Sequence, residues 1–427
     1  MHECPPAGGL TGALPRQSPN LGPDPAAARA AMVARLEDEG ALRPGPVREA
    51  LLQLPREVLM PQGYARRTAL DELPVQWQLL DWSQPDDRPE YLDVLHGGES
   101  VLIQHDGEPI LGRDPGVRRT GGTMTSLSSG MFMTAVLMEQ LRLRPGLRVA
   151  DVGTGAAVTC AISARVCGDS HVVSIDRDPH VTEAARHHLA ALGLHPTLVT
   201  GDGEAGWPAG APFDRIFASY SLARVPTSWM EQLAPGGTAL LHVTTGSPSW
   251  PGLAVVSKGA DGQVTGEFRP VRYGHRAGHG LGWIFLKKSF RDRIQARNGA
   301  TITHSRLAPP PDTAHGFWLA LNFLHRGLVR DRGAEDLVIG APACGSWVTA
   351  RPDDTGGWEV ASAGLRDIWE EIHHAAALWK AAERPDAYRF DFGSDGHQQL
   401  RAGAGRHQLA WTLPATSTPS AIPGAAR

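Results

Sequence analysis

Asp151-Val152-Gly153-Thr154-Gly155 is the stretch on which the fold turns. It ends an apolar run at residues 147–152 that has the length of a buried strand, and it precedes residues 159–166, which have the composition of a helix. Glycines at such a junction let the backbone bend sharply and approach a ligand closely, because they carry no Cβ. Ordinary tight loops use the same chemistry, so the motif gains meaning only from its surroundings.

The surroundings repeat one unit. Residues 131–141 read as a helix before the first strand, 171–176 as a second buried strand, 181–192 as a helix and 197–200 as a third strand. Two further apolar strands follow at 213–219 and 238–243, around a helical segment at 228–233. Mostly parallel strands with helices on both faces explain this alternation. Residues 253–257 and 264–268, joined through Asp261-Gly262, read as a terminal hairpin. In such a sheet ligands sit beyond the carboxyl ends of the strands. Asp176 ends the second strand, where its carboxylate can accept hydrogen bonds from a ribose, and Asp202-Gly203 ends the third, beside the expected base amine. The bland alternatives are a solvent-facing strand-end aspartate and a turn former.

The 427 residues carry 41 Lys and Arg against 45 Asp and Glu, a formal charge of -4, and no basic block of the kind that holds a nucleic-acid backbone. Cys4, Cys160, Cys167 and Cys344 form no metal or redox pair, and Cys160 reads as an apolar side chain behind the loop. His187-His188 and His373-His374 are adjacent pairs that diverge around a helix, so no metal is expected. No apolar run is long enough to span a bilayer and no secretory signal is seen, so the expected location is the cytoplasm, without membrane contact.

Residues 1–25 are crowded with Gly and Pro and read as a disordered tail; 26–288 form the main domain, 289–413 an additional C-terminal domain or extension, and 414–427 a second tail. Before the sheet, residues 26–39 and 47–54 read as helices and 91–104 as short extended pieces around Gly97-Gly98. The C-terminal region holds the apolar run 317–324, then Trp347, Trp358, Trp369 and Trp379, with helical spacing over 367–382.

Several ordered segments together resemble the protein L-isoaspartyl O-methyltransferases. They are Val47-Arg48-Glu49-Ala50, Pro55-Arg56-Glu57, the 151–155 loop, Ser174-Ile175-Asp176-Arg177-Asp178-Pro179, Gly201-Asp202-Gly203, Ala211-Pro212-Phe213-Asp214-Arg215-Ile216, Val225-Pro226, Glu231-Gln232-Leu233 and Pro235-Gly236-Gly237. The resemblance implies an α/β, Rossmann-like class I methyltransferase fold: a mostly parallel seven-stranded sheet, here with a C-terminal extension. It implies S-adenosyl-L-methionine as cofactor, contacted by Asp151, Gly153, Thr154, Gly155, Asp176, Asp202 and Gly203.

For the acceptor, Ser128-Ser129-Gly130-Met131 stands where the resemblance places the segment between cofactor and isoaspartyl group, with Ser129 as the matching serine and the catalytic candidate. Helix capping at residue 131 is the competing role for that hydroxyl. Gly130-Met131 replaces the Gln-Pro usual after this serine, and Ser219-Tyr220-Ser221 departs from the small residues usual before Val-Pro, which makes Tyr220 a candidate substrate contact. The expected reaction is methylation of an Asp or isoAsp carboxylate in a peptide or protein, with the ester able to close to a succinimide. An ionised carboxylate needs no base, so alignment and exclusion of water are the main tasks. A dedicated precursor peptide, general isoaspartyl repair, a small-molecule carboxylate and a noncatalytic peptide-binding module are the alternatives.

Overall fold

Proline at the first turn, where its missing N–H costs nothing, starts two N-terminal helices. They are α1 (Pro25–Asp38), whose Ala26 N–H donates to the Asp24 carboxylate, and α2 (Pro46–Leu52). The computed structural model describes residues 24–69, 72, 74–247, 252–271, 288–297, 299–332 and 336–415, so most of both expected tails lies outside the described residues. A single turn α3 (Arg56–Leu59) leads to β1 (Gln62–Arg66), β2 (Gln76–Asp81), α4 (Arg88–His96), β3 (Val101–His105), β4 (Arg118–Thr120) and β5 (Met124–Ser128). These strands form an antiparallel sheet in the order β4-β2-β1-β3-β5. Residues 91–96 are helical here, not extended. Pro89 sits in the first turn of α4, and Tyr91, Leu92 and Leu95 bury one helical face, so the strand begins only after Gly97 and Gly98.

The chain then runs α5 (Met131–Leu141), β6 (Val149–Val152), α6 (Val158–Cys167), β7 (Val172–Asp176), α7 (Pro179–Ala191), β8 (Thr197–Thr200), β9 (Phe213–Leu222), α8 (Thr227–Gln232), β10 (Leu233–Val243), β11 (Gly252–Lys258) and β12 (Val264–Pro270). Strands β8-β7-β6-β9-β10 lie side by side and parallel, followed by the antiparallel β11 and β12. This is the seven-stranded, mostly parallel sheet of a class I methyltransferase fold.

The sheet continues past that hairpin. The C-terminal region contributes α9 (Lys288–Gln295), β13 (Thr301–Ser305), α10 (His315–Leu324), β14 (Val329–Arg332), β15 (Leu337–Ala341), β16 (Ser346–Pro352), β17 (Trp358–Ala363), α11 (Ile368–Ala381), β18 (Tyr388–Phe392), β19 (Gln398–Ala402) and β20 (Leu409–Thr412). Strands β13 to β17 make their own antiparallel sheet, whereas β18, β19 and β20 extend the central one to ten strands. The join is Gly266 opposite Phe390, where a Cβ on Gly266 would lie 2.9 Å from the phenylalanine side chain. The hairpin is therefore internal to the sheet, not terminal.

Two apolar layers flank the central sheet. On one side Phe217 and Leu240 share a core with α5, α6, α7 and the N-terminal helices. On the other, Ala239, Leu241, Val256 and Phe268 pack with Phe317 and Trp318 of α10 and Ile372 of α11. The C-terminal region thus supplies helices that cover the second face, burying aromatic side chains worth roughly 2–3 kcal/mol each. No helix among the described residues is long and apolar enough to cross a membrane.

Candidate functional site

The turn after β6 has Gly153 at φ +89° and Gly155 at φ +49°, a backbone that glycine adopts without strain. A Cβ on Gly153 would sit 2.3 Å from the Ser219 Oγ, so the loop is pressed against the end of β9. Four of its N–H groups are already used. Those of Gly153 and Thr154 donate to the Ile175 carbonyl at 2.8 and 3.3 Å, that of Gly155 to the Asp176 carboxylate at 3.1 Å, and that of Ala157 to the Thr154 carbonyl at 2.7 Å.

Asp176 is half-buried and also accepts from the Asp178 N–H at 3.1 Å. Burial pushes its carboxyl up, against the pull of those two N–H donors. Each carboxylate oxygen keeps a lone pair for a ribose hydroxyl. Asp151 is placed differently: it lies fully buried beneath the loop, off the cavity. Its carboxylate accepts from the Ser174 hydroxyl at 2.8 Å, which in turn is 2.8 Å from the Thr154 hydroxyl. Burial lifts the Asp151 carboxyl to about 6, with the Thr159 and Ser174 hydroxyls opposing. Its position supports the loop from below, and Thr154 is drawn into the same buried network.

Asp202 is exposed and accepts from the Glu204 N–H at 3.0 Å, which holds the turn at the end of β8. Gly203 is buried, and a Cβ there would meet Val152 at 2.4 Å and the Tyr220 hydroxyl at 2.7 Å. Tyr220 therefore spans the two glycine turns, beside both Gly153 and Gly203, while remaining 38% exposed. Burial and the nearby carboxylates of Glu204, Asp202 and Asp176 push its phenol up.

A cavity opens between the β5–α5 junction and the carboxyl ends of β6, β9 and β10, lined by Ser129, Met133, Gly153, Ser219 and His242 among others. Ser128 is buried and accepts from the Arg56 guanidinium at 3.1 Å. Arg56 is itself only 1% exposed, and burial brings its guanidinium down to about 10. The Ser129 hydroxyl, by contrast, has no hydrogen-bond partner among the described residues. It does not cap α5, whose N-cap is Gly130 without any side-chain bond. The Gly130 N–H donates to the Ser100 Oγ at 3.2 Å, and Met131 is fully buried in the core, so this methionine packs and does not line the cavity.

Residues 120–273 match the family model described as protein-L-isoaspartate(D-aspartate) O-methyltransferase. A protein-L-isoaspartate O-methyltransferase from Anaeromyxobacter is 36% identical over 170 residues, covering 37% of this chain and 78% of the relative. The chain belongs to the protein-L-isoaspartate O-methyltransferase family. A relative from Ignicoccus hospitalis is 27% identical over 244 residues, or 57% of this chain and 93% of its own length. A solved protein-L-isoaspartate O-methyltransferase superposes with a TM-score of 0.46 at 20% identity, covering 87% of this chain and 98% of its own.

The isoaspartate O-methyltransferase family is S-adenosylmethionine-dependent and methylates protein carboxyl groups. Segments that carry the resemblance are tied together in space. From α8, the Trp229 indole N–H donates to the Gly203 carbonyl at 2.9 Å and the Gln232 amide donates to the Ala205 carbonyl at 2.8 Å. His242 was not picked out from the sequence, and Ser219 entered only as part of the Ser219-Tyr220-Ser221 departure. The one available signal for His242 was an imidazole inside the apolar strand run 238–243.

Proposed function

We propose that this chain transfers a methyl group from S-adenosylmethionine to the side-chain carboxylate of an Asp or isoAsp residue in a peptide or protein. One observation supports the acceptor assignment most directly: the uncommitted Ser129 hydroxyl faces the same cavity as the glycine turn after β6. Gly153, Gly155, Asp176, Asp202 and Gly203 would hold the cofactor, with Asp151 and Thr154 fixing the loop. Bound there, S-adenosylmethionine supplies an electrophilic methyl group. The work left to the protein is to orient one carboxylate oxygen, which Ser129 does by donating to the other, and to exclude water with Met133, Leu137 and Phe217. No side chain has to accept a proton, because the carboxylate is already ionised near neutral pH.

The ester makes the carboxyl carbon a better electrophile, so a neighbouring backbone nitrogen can displace methanol and close a succinimide. Tyr220 narrows the carboxyl edge of the sheet, and the C-terminal extension grips the adjoining loop, both of which support an acceptor presented in a defined peptide context, such as a dedicated precursor. The test is a comparison of matched Asp and isoAsp acceptors. A preference for isoAsp across unrelated sequences supports repair, and a single Asp modified in one structured precursor supports tailoring.

A further inference from the structure

Gln104 is fully buried in β3, and its side chain reaches from the antiparallel sheet to the turn after β7. Its Nε2 donates to two acceptors, the Glu108 carbonyl at 2.9 Å and the Asp178 carboxylate at 2.8 Å. A carbonyl and an ionised carboxylate can only accept, so the atom between them must be a donor, which fixes the amide nitrogen in that place. Asp178 divides its oxygens. Oδ2 takes the Gln104 amide, while Oδ1 accepts from the His180 N–H at 2.8 Å and caps α7. The Asp178 N–H donates to Asp176 Oδ1 at 3.1 Å, and Asp176 Oδ2 accepts from the Gly155 N–H at 3.1 Å. One line of hydrogen bonds thus runs from β3 through the Asp176 turn to the glycine loop after β6.

The same sheet meets that loop from a second side. Gln104 pairs with Ser126 of β5, and the Leu127 carbonyl, next along the strand, lies 3.1 Å from where a Gly155 Cβ would be. The strand ends at Ser128, and Ser129 then lines the cavity.

Resting on the reading of Asp176 as the ribose acceptor, we infer that Gln104 is a positioning residue for the cofactor: it holds the Asp176 turn against the sheet that leads into Ser129, and acts on S-adenosylmethionine through Asp176. The reaction supplies the need. Methyl transfer requires the acceptor oxygen, the methyl carbon and the sulfur in line, so the ribose end and the acceptor end must share one rigid frame. Asp176 ends a strand of the central sheet, whereas Ser129 follows the last strand of the antiparallel one. Gln104 crosses between the two. Without its amide the Asp178 carboxylate keeps only the helix cap, and the turn is free to shift away from β3 with Asp176 on it.

The test uses the full-length protein, with S-adenosylhomocysteine as the calorimetric probe and thermal unfolding as the check on folding. Gln104→Leu removes the donor. Asp178→Ser removes the carboxylate that receives it but keeps a residue that caps helices well, and because Asp178 is only half-buried this variant covers a Gln104→Leu that fails to fold. Each change is made alone and together with Asp176→Ala. Either change alone is expected to weaken probe binding about five- to tenfold, and to add less than about twofold once Asp176 is alanine, because the route to the ribose is then gone.

Wild-type affinity in either folded variant overturns the inference, since a residue that only packs or only caps α7 gives that result. Losses of equal size with and without Asp176 overturn it as well, because Gln104 would then not act through that carboxylate. Asp176→Ala that binds like wild type counts against the ribose reading itself, and the inference falls with it. A weakened Asp176→Ala leaves that reading standing and lets the paired variants judge Gln104 alone.

Discussion

The side-chain amide of Gln398 binds both backbone groups of Val225: the Val225 N–H donates to Oε1 at 3.0 Å, and Nε2 donates to the Val225 carbonyl at 2.6 Å. Gln398 belongs to β19 of the C-terminal extension, and Val225 to the loop between β9, which carries Tyr220, and α8, which holds the Gly203 turn. Arg224 adds a bond to the Gly396 carbonyl. The extension is therefore wired to the carboxyl edge of the sheet, where the site lies.

Gln398→Ala leaves a buried N–H and a buried carbonyl without partners, at a cost of about 2–4 kcal/mol. Urea unfolding is expected to show that loss, and turnover is expected to fall with it as the loop loosens. Unchanged stability and turnover would mean that the clasp is incidental.

Asp176 contributes twice, as the proposed ribose acceptor and as the acceptor for the Gly155 N–H. Asp176→Ala is expected to weaken S-adenosylmethionine binding by about 10- to 100-fold, some 1.4–2.8 kcal/mol, with Asp176→Asn losing less because one oxygen can still accept. Calorimetry on folded variants is the check, and wild-type affinity in Asp176→Ala would remove the residue from the site.

Ser128 and Ser129 are adjacent but predicted to behave oppositely. Ser129→Ala should leave stability within about 0.5 kcal/mol, since its hydroxyl has no partner among the described residues, while kcat drops by about tenfold or more. Ser128→Ala strips the buried Arg56 guanidinium of its hydroxyl partner and should cost about 1–3 kcal/mol of stability. Equal stability losses in the two variants, measured by thermal and urea unfolding, would contradict this division.

Burial lowers His96 to about 3, and His188 and His242 to about 4. These folded values lie below the unfolded value of about 6.5, so the unfolded chain binds more protons and stability falls as the pH drops below 6.5. By pH 5 the loss is roughly 2 kcal/mol for each imidazole. Asp151 works in the opposite direction: the cost of its buried carboxylate is full above about 6 and disappears toward 3.8. The three imidazoles outweigh the one carboxyl. Urea midpoints at pH 7.5, 6 and 5 should therefore decline, and a rising series would contradict the assignment.

The cofactor half of the fold was legible because its signals are local. The helix Met131–Leu141 and the strand Thr197–Thr200 fall on the residues their periodicity indicates, and the Gly153 and Gly155 turn follows from backbone geometry alone. What stayed hidden depends on distant partners. Pairing of Gly266 with Phe390 joins residues more than a hundred positions apart, and no period in either segment announces it. The α4 helix was obscured because Gly97-Gly98 read as a break between extended pieces, although the helix ends just before them, with Pro89 in its first turn. In the site, Asp151 occupies the motif position of a ligand contact but turns under the loop, since Ser174 on the neighbouring strand offers it a hydroxyl. His242 comes to the cavity only through the parallel pairing of β10 with β9.

The central claim is carboxyl methylation. Incubation with isotopically labelled S-adenosylmethionine and Asp- or isoAsp-containing peptides, followed by time-resolved mass spectrometry with fragmentation, localises the transferred methyl. The predicted result is label on a single Asp or isoAsp carboxyl as a transient ester, decaying with loss of methanol to a succinimide. A stable methyl group on an amine or a nucleic-acid base, with no carboxyl ester on any peptide at any time, would contradict it.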